Sequence, residues 1–345
     1  MAINVNSTAA LLGAFGVLDR PRTFLLDLFF PIEQTFVTEE VYFDQVQRAR
    51  AIAPFVSPNV AGKPRRSRGY QVKSFTPPYV KPKHAVEPAK ALKRRAGEQL
   101  LGDMTPAQRF DRALLDNLML EDDEITRREE WMASQLLQTG AVVCSGPDFP
   151  SVTLDMGRNA AHTVVLSGAA RWGQAGVDPL TLIQSWAQTT ALDSGFFPRA
   201  VVMGATAAAY FLASSRILTM MTTFRQVKGL VDLVGSVTGA VGGEVAYLGS
   251  TPQFDFYQYT QKYTDDTGTV QDLMPATGCI MGDPGGAGGV RTYGAIRDRK
   301  AGIQALSRFP KVFDVDDPSA TFTMTQSAPL PLLGWPDATF YATVA

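Results

Sequence analysis

The longest regular pattern in the chain is a helical repeat of apolar positions between about residues 106 and 139. Thr105-Pro106-Ala107-Gln108 opens it with an N-cap residue, a proline at the first helical position and a glutamine that completes a capping box. Gly140 is placed to end it in the left-handed conformation. The pattern predicts a rod of about 34 residues and about 50 Å, roughly three times the usual helix length. The repeat is carried by Phe110, Leu114, Leu118, Ile125, Met132 and Leu136.

Beyond Gly140 the apolar residues fall in short alternating runs broken by glycine and proline, which is typical of strands. Runs at 141–144 and 151–154 flank a Ser-Gly-Pro-Asp turn and predict a hairpin. Strands return at 322–324 and 339–344, and we expect them to pack under the long helix. The intervening residues would then form an inserted mixed domain, for which the patterns predict helices at 178–192 and 205–224, a buried strand at 199–203 and a hairpin of 254–263 with 269–280.

The N-terminal region contains a short apolar patch, Phe24-Leu25-Leu26-Asp27-Leu28-Phe29-Phe30-Pro31. It is too short to span a bilayer. We expect it to be a peptide that docks on a partner. The longest apolar run, 201–221, is interrupted by Gly, Ser and Arg, so we expect no membrane span and no membrane partner.

Charge adds a second feature, a basic segment from Lys63 to Arg95 with eleven Lys or Arg residues and one acid, Glu87, in a chain of net charge -1. Its prolines and glycine forbid a compact helix and favour an extended arm. Such an arm cannot bury itself without stranding charges, so we expect it to lie on something acidic. The candidate contact residues on the arm are Arg65, Arg66, Arg68, Lys73, Lys81, Lys83 and His84.

The chain carries an acidic counterpart in the middle of the predicted long helix. Glu121, Asp122, Asp123 and Glu124 form a cluster with two further acids close behind. If this cluster faced the arm of another copy, the contact would be head-to-tail, and contacts of that kind build rings and closed shells. The alternative is a nucleic-acid clamp, which would give salt-sensitive DNA binding by the monomer and no large assembly. Only Tyr70, Phe75 and Tyr79 could stack on bases, which weakens this alternative.

Motifs that could support catalysis or bind a cofactor are incomplete. The glycine-rich run 282–289 lacks the Lys-Ser/Thr ending of a phosphate loop, and we expect a flexible surface loop. His162 has no metal-ligand spacing around it and is expected to be structural. The aspartates at 314, 316 and 317 lack the spacing of a calcium loop and are expected to form a turn. Cys144 and Cys279 are expected to be small buried residues in a reducing compartment. We therefore expect no enzyme, no metal and no cofactor.

Several ordered motifs resemble the capsid protein E family of lambda-like tailed phages. They reach from about residue 36 to the C-terminus, and the region 169–281 matches far less well. The motifs are Phe55-Val56-Ser57-Pro58, Arg66-Ser67-Arg68-Gly69, Phe75-Thr76-Pro77, Tyr79-Val80-Lys81-Pro82-Lys83-His84, Asp155-Met156-Gly157-Arg158, Arg291-Thr292-Tyr293-Gly294, Arg308-Phe309-Pro310-Lys311, Phe322-Thr323-Met324 and Gln326-Ser327-Ala328-Pro329-Leu330.

The resemblance implies an α+β tailed-phage major capsid fold. Mapped on this chain, it has an N-terminal arm (1–37), an extended loop (38–95) that overlies the next subunit, a peripheral domain (96–162) with a spine helix at about 106–139, an axial domain (163–290) and a return to the peripheral domain (291–345). It implies a major capsid protein that self-assembles, as hexamers and pentamers, into an icosahedral head shell in the host cytoplasm. The implied partners are a separate scaffolding protein, a portal, a small decoration protein and packaged double-stranded DNA. It also implies a shell without covalent cross-links.

Overall fold

The computed structural model describes residues 23–219 and 244–345, apart from 39, 47–51, 54, 56–57, 60, 62–69, 88–91, 94–103, 147–148, 218, 266, 303 and 318. Four α-helices lie wholly within these residues, and they pack against one large sheet and several small ones. They are α1 (Phe24–Phe29), α2 (Pro106–Thr139), α3 (Pro179–Ser194) and α4 (Ala205–Ala213).

Helix α2 has the bounds that the sequence predicted. The Thr105 side chain accepts from the Gln108 amide while the Gln108 side chain accepts from the Thr105 amide, so the capping box is formed. Gly140 ends the helix in the left-handed conformation with φ 77°. The guanidinium of Arg158 donates to the carbonyls of Leu137 and Gln138, both at 2.6 Å, and so satisfies the last turn. Burial lowers the pKa of Arg158 to about 10.

The strands of the described residues form one large sheet and several small ones. The large sheet has the order β7-β18-β13-β8-β10-β9, and two three-stranded sheets have the orders β1-β14-β17 and β15-β16-β4. The pairs β2-β3, β5-β6 and β11-β12 stand alone. The strands are β1 (Ile32–Thr35), β2 (Val41–Val46), β3 (Tyr70–Phe75), β4 (Lys83–Val86), β5 (Ala141–Gly146), β6 (Phe149–Asp155), β7 (Thr163–Val165), β8 (Ala200–Met203), β9 (Val245–Ser250), β10 (Asp255–Tyr259), β11 (Lys262–Thr264), β12 (Val270–Asp272), β13 (Gly278–Gly282), β14 (Gly289–Tyr293), β15 (Phe309–Val315), β16 (Ala320–Gln326), β17 (Pro329–Leu333) and β18 (Thr339–Thr343).

The six-stranded sheet separates two hydrophobic cores. Because successive side chains of a strand point to opposite faces, the fully buried strand β8 contributes to both. Ala200 and Val202 join the core that includes the second half of α2, whereas Val201 and Met203 join the core under α3 and α4. This strand thus reads as a continuous apolar run, as the sequence predicted.

The C-terminal strands contact α2, as expected from their pattern. Strand β18 has an additional role, because it lies inside the six-stranded sheet between β7 and β13. It pairs with β7 in parallel and with β13 in antiparallel orientation. The sheet of the middle region is therefore completed by the last strand of the chain.

Two predictions for the middle region are wrong in detail. The predicted helix 205–224 is interrupted, because α4 ends at Ala213 where Ser214 takes an extended conformation; residues 215–217 are helical again, and 220–224 lie outside the described residues. The predicted hairpin of 254–263 with 269–280 is shorter, since only β11 and β12 pair around the turn at Asp265. Strand β10 pairs instead with β8 and β9, and β13 with β8 and β18.

The N-terminal apolar patch and the glycine-rich run also differ from expectation, because they pack on each other. Helix α1 buries Phe24, Leu25, Leu26 and Phe29 in the core of its own chain rather than presenting them to a partner. The run 282–289 is a tight connection between β13 and β14, not a free surface loop. A Cβ at Gly289 would lie 1.9 Å from the carbonyl oxygen of Phe29, so only glycine allows this approach.

Candidate assembly interface

The basic segment includes the second strand of a two-stranded ribbon, and the few described residues between its strands, here called the ribbon tip, are exposed. Strand β2 pairs with β3 from Val41↔Phe75 to Val46↔Tyr70. Between the strands, the side chain of Ile52 is 85% exposed and that of Phe55 is fully exposed, at 106%. A two-stranded ribbon is marginally stable by itself. These two exposed apolar side chains make the described part of the ribbon tip a candidate contact surface.

The described part of the segment after the ribbon is extended, as predicted, but it lies on its own chain. Pro77 and Pro78 are buried, and the Val80 amide and carbonyl both bond to Ser327. Strand β4 then joins the edge of the β15-β16 sheet, where Lys83 pairs with Met324. The expectation that the whole arm lies on something else is therefore wrong for residues 77–86, since backbone pairing satisfies this stretch within the monomer.

One residue of the arm, His84, contacts the acidic cluster, and it does so within one chain. His84 Nδ1 lies 3.5 Å from Glu121 Oε1, and His84 Nε2 lies 3.6 Å from Glu124 Oε1. Glu121 is fully buried and accepts hydrogen bonds from Thr323 and Thr325 at 2.6 and 2.7 Å. Burial raises the pKa of Glu121, and the two hydroxyl donors offset part of that effect.

Asp122 is likewise used inside the chain. Its carboxylate accepts from Arg308 Nε at 2.8 Å, and Glu129 accepts from Arg308 Nη1 at 2.6 Å and from Nη2 at 3.1 Å. Glu129 and Arg308 are also buried, and the three side chains fix the middle of α2 to the start of β15. Glu121 and Asp122 are consequently corrected from candidate inter-subunit contacts to internal ones.

The remaining predicted contact residues divide into four groups. Lys73 is half-buried and its Nζ lies 3.4 Å from the Asp155 carbonyl oxygen of the same chain. Lys81 and Lys83 are exposed, and Lys83 Nζ lies 3.9 Å from the Phe322 ring centre. Asp123 and Glu124 stay at the surface of α2. Arg65, Arg66 and Arg68 lie outside the described residues.

Helix α2 also presents an apolar stripe that was not predicted. Leu115, Met119 and Leu120 are 36%, 40% and 50% exposed, although Leu114 and Leu118 beside them are buried. Leu115 and Met119 are four residues apart and share a helix face, and Leu120 lies about 100° further around the helix, so the exposed apolar surface extends beyond one face. The sequence does contain a signal for this surface. Consecutive apolar residues at 114–115 and at 118–120 are more than one buried helix face can hold, so some of them must be exposed.

The residues that were examined as possible catalytic or metal-binding groups have hydrogen-bond partners or burial typical of structural residues. His162 is buried between the Thr339 carbonyl oxygen at 3.2 Å and Asp193 at 2.9 Å, in agreement with a structural histidine. Asp314 accepts from Thr321 across the β15-β16 hairpin, and residues 316–317 form its turn. Cys144 and Cys279 are buried thiols, and burial raises their pKa values to about 11 and about 12. Among the described residues, no cluster of side chains could hold a metal ion, and no helix is long and apolar enough to cross a membrane.

Comparisons with known proteins agree with this architecture. The sequence matches the family model described as phage major capsid protein E over residues 7–344. The major capsid proteins of Escherichia phage lambda and Escherichia phage N15 are each 32% identical over 342 residues, which cover 97% of this chain and 98% of theirs.

Two solved structures share the fold. The putative capsid protein of a prophage of E. coli CFT073 has a TM-score of 0.72 at 21% identity, covering 98% of this chain and 99% of its own. The capsid of Ralstonia phage GP4 has a TM-score of 0.52 at 11% identity, covering 95% of this chain and 87% of its own. The α+β tailed-phage capsid fold expected from the motifs is thus confirmed, and the chain belongs to the phage major capsid protein E family.

Proposed function

We propose that this chain is the major capsid protein that builds the head shell of a tailed phage by self-assembly. The observation that carries the proposal is the family match over residues 7–344, on a fold shared with capsid proteins. The protein acts as a structural component of the virion, and its surface chemistry serves contacts between copies rather than catalysis.

The contact that we assign to assembly joins the ribbon tip to the stripe on α2. Phe55 is fully exposed and Met119 is 40% exposed in the same subunit, so the two surfaces do not meet within one chain. Both are apolar, and bringing them together removes large apolar side chains from water. The tip of one subunit therefore lies on the Leu115–Leu120 stripe of the next, and neighbours follow head-to-tail. A heterologous contact of this kind closes into rings, which here are the hexamers and pentamers of a shell.

Ion pairs between subunits contribute less to the proposed assembly than the apolar contact does. Lys81 and Lys83 are exposed in the segment after the ribbon, while on α2 Asp123 is partly exposed and Glu124 is exposed. Pairs between them across subunits would contribute about 0–1 kcal/mol each, and Arg65, Arg66 and Arg68 would act in the same way. Weak contacts suit assembly because misplaced subunits can leave, whereas repetition around a closed lattice stabilises the finished shell.

The further partners follow from the same proposal. A separate scaffolding protein guides assembly, a portal occupies one vertex, and a small decoration protein strengthens the outside. Packaged double-stranded DNA contacts basic side chains non-specifically and in a salt-dependent way.

The experiment is to express the chain in bacteria, with and without a scaffolding protein, and to examine the product by size-exclusion chromatography and electron microscopy. Hollow particles of megadalton size are expected. If instead the chain stays small under every condition and binds DNA in a salt-sensitive way, it is a nucleic-acid-binding protein and the proposal is wrong.

A further inference from the structure

Glu130 of α2 is a buried carboxyl group that holds the N-terminal segment of the chain. Its Oε1 accepts from the Leu25 amide at 2.7 Å and its Oε2 accepts from the Leu26 amide at 3.1 Å. The Tyr259 hydroxyl of β10 lies 3.0 Å from the same Oε1. Glu130 is 1% exposed, so one carboxyl group joins α1, α2 and the six-stranded sheet in a dry environment.

The hydrogen bonds around Tyr259 are one proton short when Glu130 is ionised. The hydroxyl lies 2.7 Å from Gln261 Oε1 and 3.0 Å from Glu130 Oε1, yet it has one hydrogen to donate. A protonated Glu130 would donate to the hydroxyl, and the hydroxyl would then donate to Gln261. With the Gln261 amide oriented so that its Oε1 faces the hydroxyl, protonation of Glu130 completes the network, whereas ionisation leaves one of the two acceptors without the tyrosine proton.

The charges that face Glu130 do not favour its ionised form. In the part of the chain that the structure describes, no Lys, Arg or His side chain pairs with its carboxylate. The negative charge of Asp27 in α1 disfavours ionisation of Glu130. Asp27 is itself paired with Arg291 of β14. Tyr259 faces Glu130 from β10, and Glu244 adds negative charge near that tyrosine. On α2, the neighbouring acid Glu129 is paired with Arg308.

We propose that Glu130 is a proton-operated latch: the segment Phe24–Phe30 docks on α2 with uptake of one proton from solvent, and its docking weakens when that proton is lost. The apolar side chains of α1 supply most of the attachment, since Phe24, Leu25, Leu26, Phe29 and Phe30 are all buried. The latch adjusts the strength of this attachment and does not replace it. It couples pH to the position of the N-terminal arm.

The direction of the pH dependence follows from burial. Desolvation raises the pKa of Glu130 from 4.5 to about 7 in the docked state, and the three hydrogen-bond donors offset only part of this effect. In an undocked, hydrated state the group returns to its ordinary value. Because the docked state binds the proton more tightly, docking is strongest below pH 4.5 and weakens as the pH rises through 7. Between pH 6 and pH 8 the docking equilibrium should fall about tenfold.

Hydrogen exchange followed by mass spectrometry tests this on the full-length chain. The readout is the protection of the peptide covering 24–30 between pH 5.5 and 8.5, corrected for the intrinsic exchange rate. In the unsubstituted chain, protection is expected to fall about tenfold from pH 6 to pH 8. In Glu130→Gln, a neutral side chain that keeps the donor to Tyr259, it should stay constant. Glu124→Gln, the matched change at the surface of the same helix, should leave the dependence intact.

Tyr259→Phe provides a second test that does not depend on how Glu130→Gln folds. It removes the hydroxyl but leaves the buried carboxyl group and its two backbone donors in place, so the pH dependence should remain. Constant protection in the unsubstituted chain, an unchanged slope in Glu130→Gln, or a lost pH dependence in Tyr259→Phe would each overturn the latch.

Discussion

The assembly contact predicts a specific effect for Phe55→Ser. Phe55 is 106% exposed, so its replacement removes nothing that stabilises the monomer. If its ring is buried against the stripe of a neighbour, each subunit contact loses about 2 kcal/mol of the 1.5–3 kcal/mol expected for a buried apolar side chain. Since 1.4 kcal/mol is a tenfold change, the dissociation constant of each contact should rise about 30-fold.

The assay is the threshold concentration for particle formation, measured by light scattering and checked by electron microscopy. Phe55→Ser should raise this threshold by at least the factor for a single contact, because every subunit in a ring repeats the loss. Phe55→Leu is the matched control and should assemble near the unsubstituted threshold. Thermal unfolding of the unassembled chain, followed by circular dichroism, should be the same for all three.

Two results would refute this reasoning. An unchanged assembly threshold for Phe55→Ser would remove the ribbon tip from the contact. A lowered unfolding temperature for the same variant would show that the ring is buried within its own subunit. Met119→Asp, made on the receiving side, should reproduce the assembly defect while leaving the fold intact, because Met119 is 40% exposed.

Three further predictions concern the monomer. Arg308→Met should lower the free energy of unfolding in urea by about 3–5 kcal/mol, because it leaves two buried carboxylates without their partner. The matched Arg127→Met removes one side of a surface pair and should lower it by under about 0.5 kcal/mol. Equal losses of unfolding free energy in the two variants would contradict the internal role of the acidic cluster. Gly289→Ala should displace α1, because its Cβ meets the carbonyl of Phe29, and hydrogen exchange of the segment 24–30 should rise; unchanged protection would refute the close approach. Asp298 accepts hydrogen bonds from several donors, led by Lys311, and they lower its pKa from 3.8 to about 2. Ionised Asp298 therefore contributes about 2 kcal/mol to the free energy of unfolding above pH 3.8, and this contribution is lost as the pH falls through 2. In a pH titration, Asp298→Asn should unfold with a weaker acid dependence.

The features that were predictable from the sequence are those with local signals. The capping box at Thr105 and the glycine at 140 fix both ends of α2, because each signal involves residues within one helical turn. The same holds for the α3 terminus at Gly195 and for the β5-β6 hairpin. Long-range partners gave no such signal. Leu25 and Glu130 are separated by 105 residues, and no periodicity relates them.

Charge complementarity drew attention to the arm and the acidic cluster, but the contact that the structure describes between them lies within one chain. The arm residue His84 does meet Glu121, but in the same chain, because β4 docks on β16 and brings the arm back to α2. Opposite charge in a sequence does not distinguish a contact within a copy from one between copies. Burial does distinguish them, and it moves the proposed interface from the acids to the exposed leucines and methionine of α2.

In the proposed shell, the ribbon tip of one subunit lies on the α2 stripe of the next. The most direct measurement is cross-linking in assembled particles from a mixture of two single variants, Phe55→Cys and Met119→Cys, with a short bismaleimide. Because Cys144 and Cys279 are buried, the introduced thiols are the reactive ones among the described cysteines. Covalent dimers are expected when both single variants are present in the particles. The double variant should give a series of cross-linked species up to five or six subunits, the size of the pentamer and hexamer rings. Particles that yield no cross-link between subunits would contradict the proposed contact.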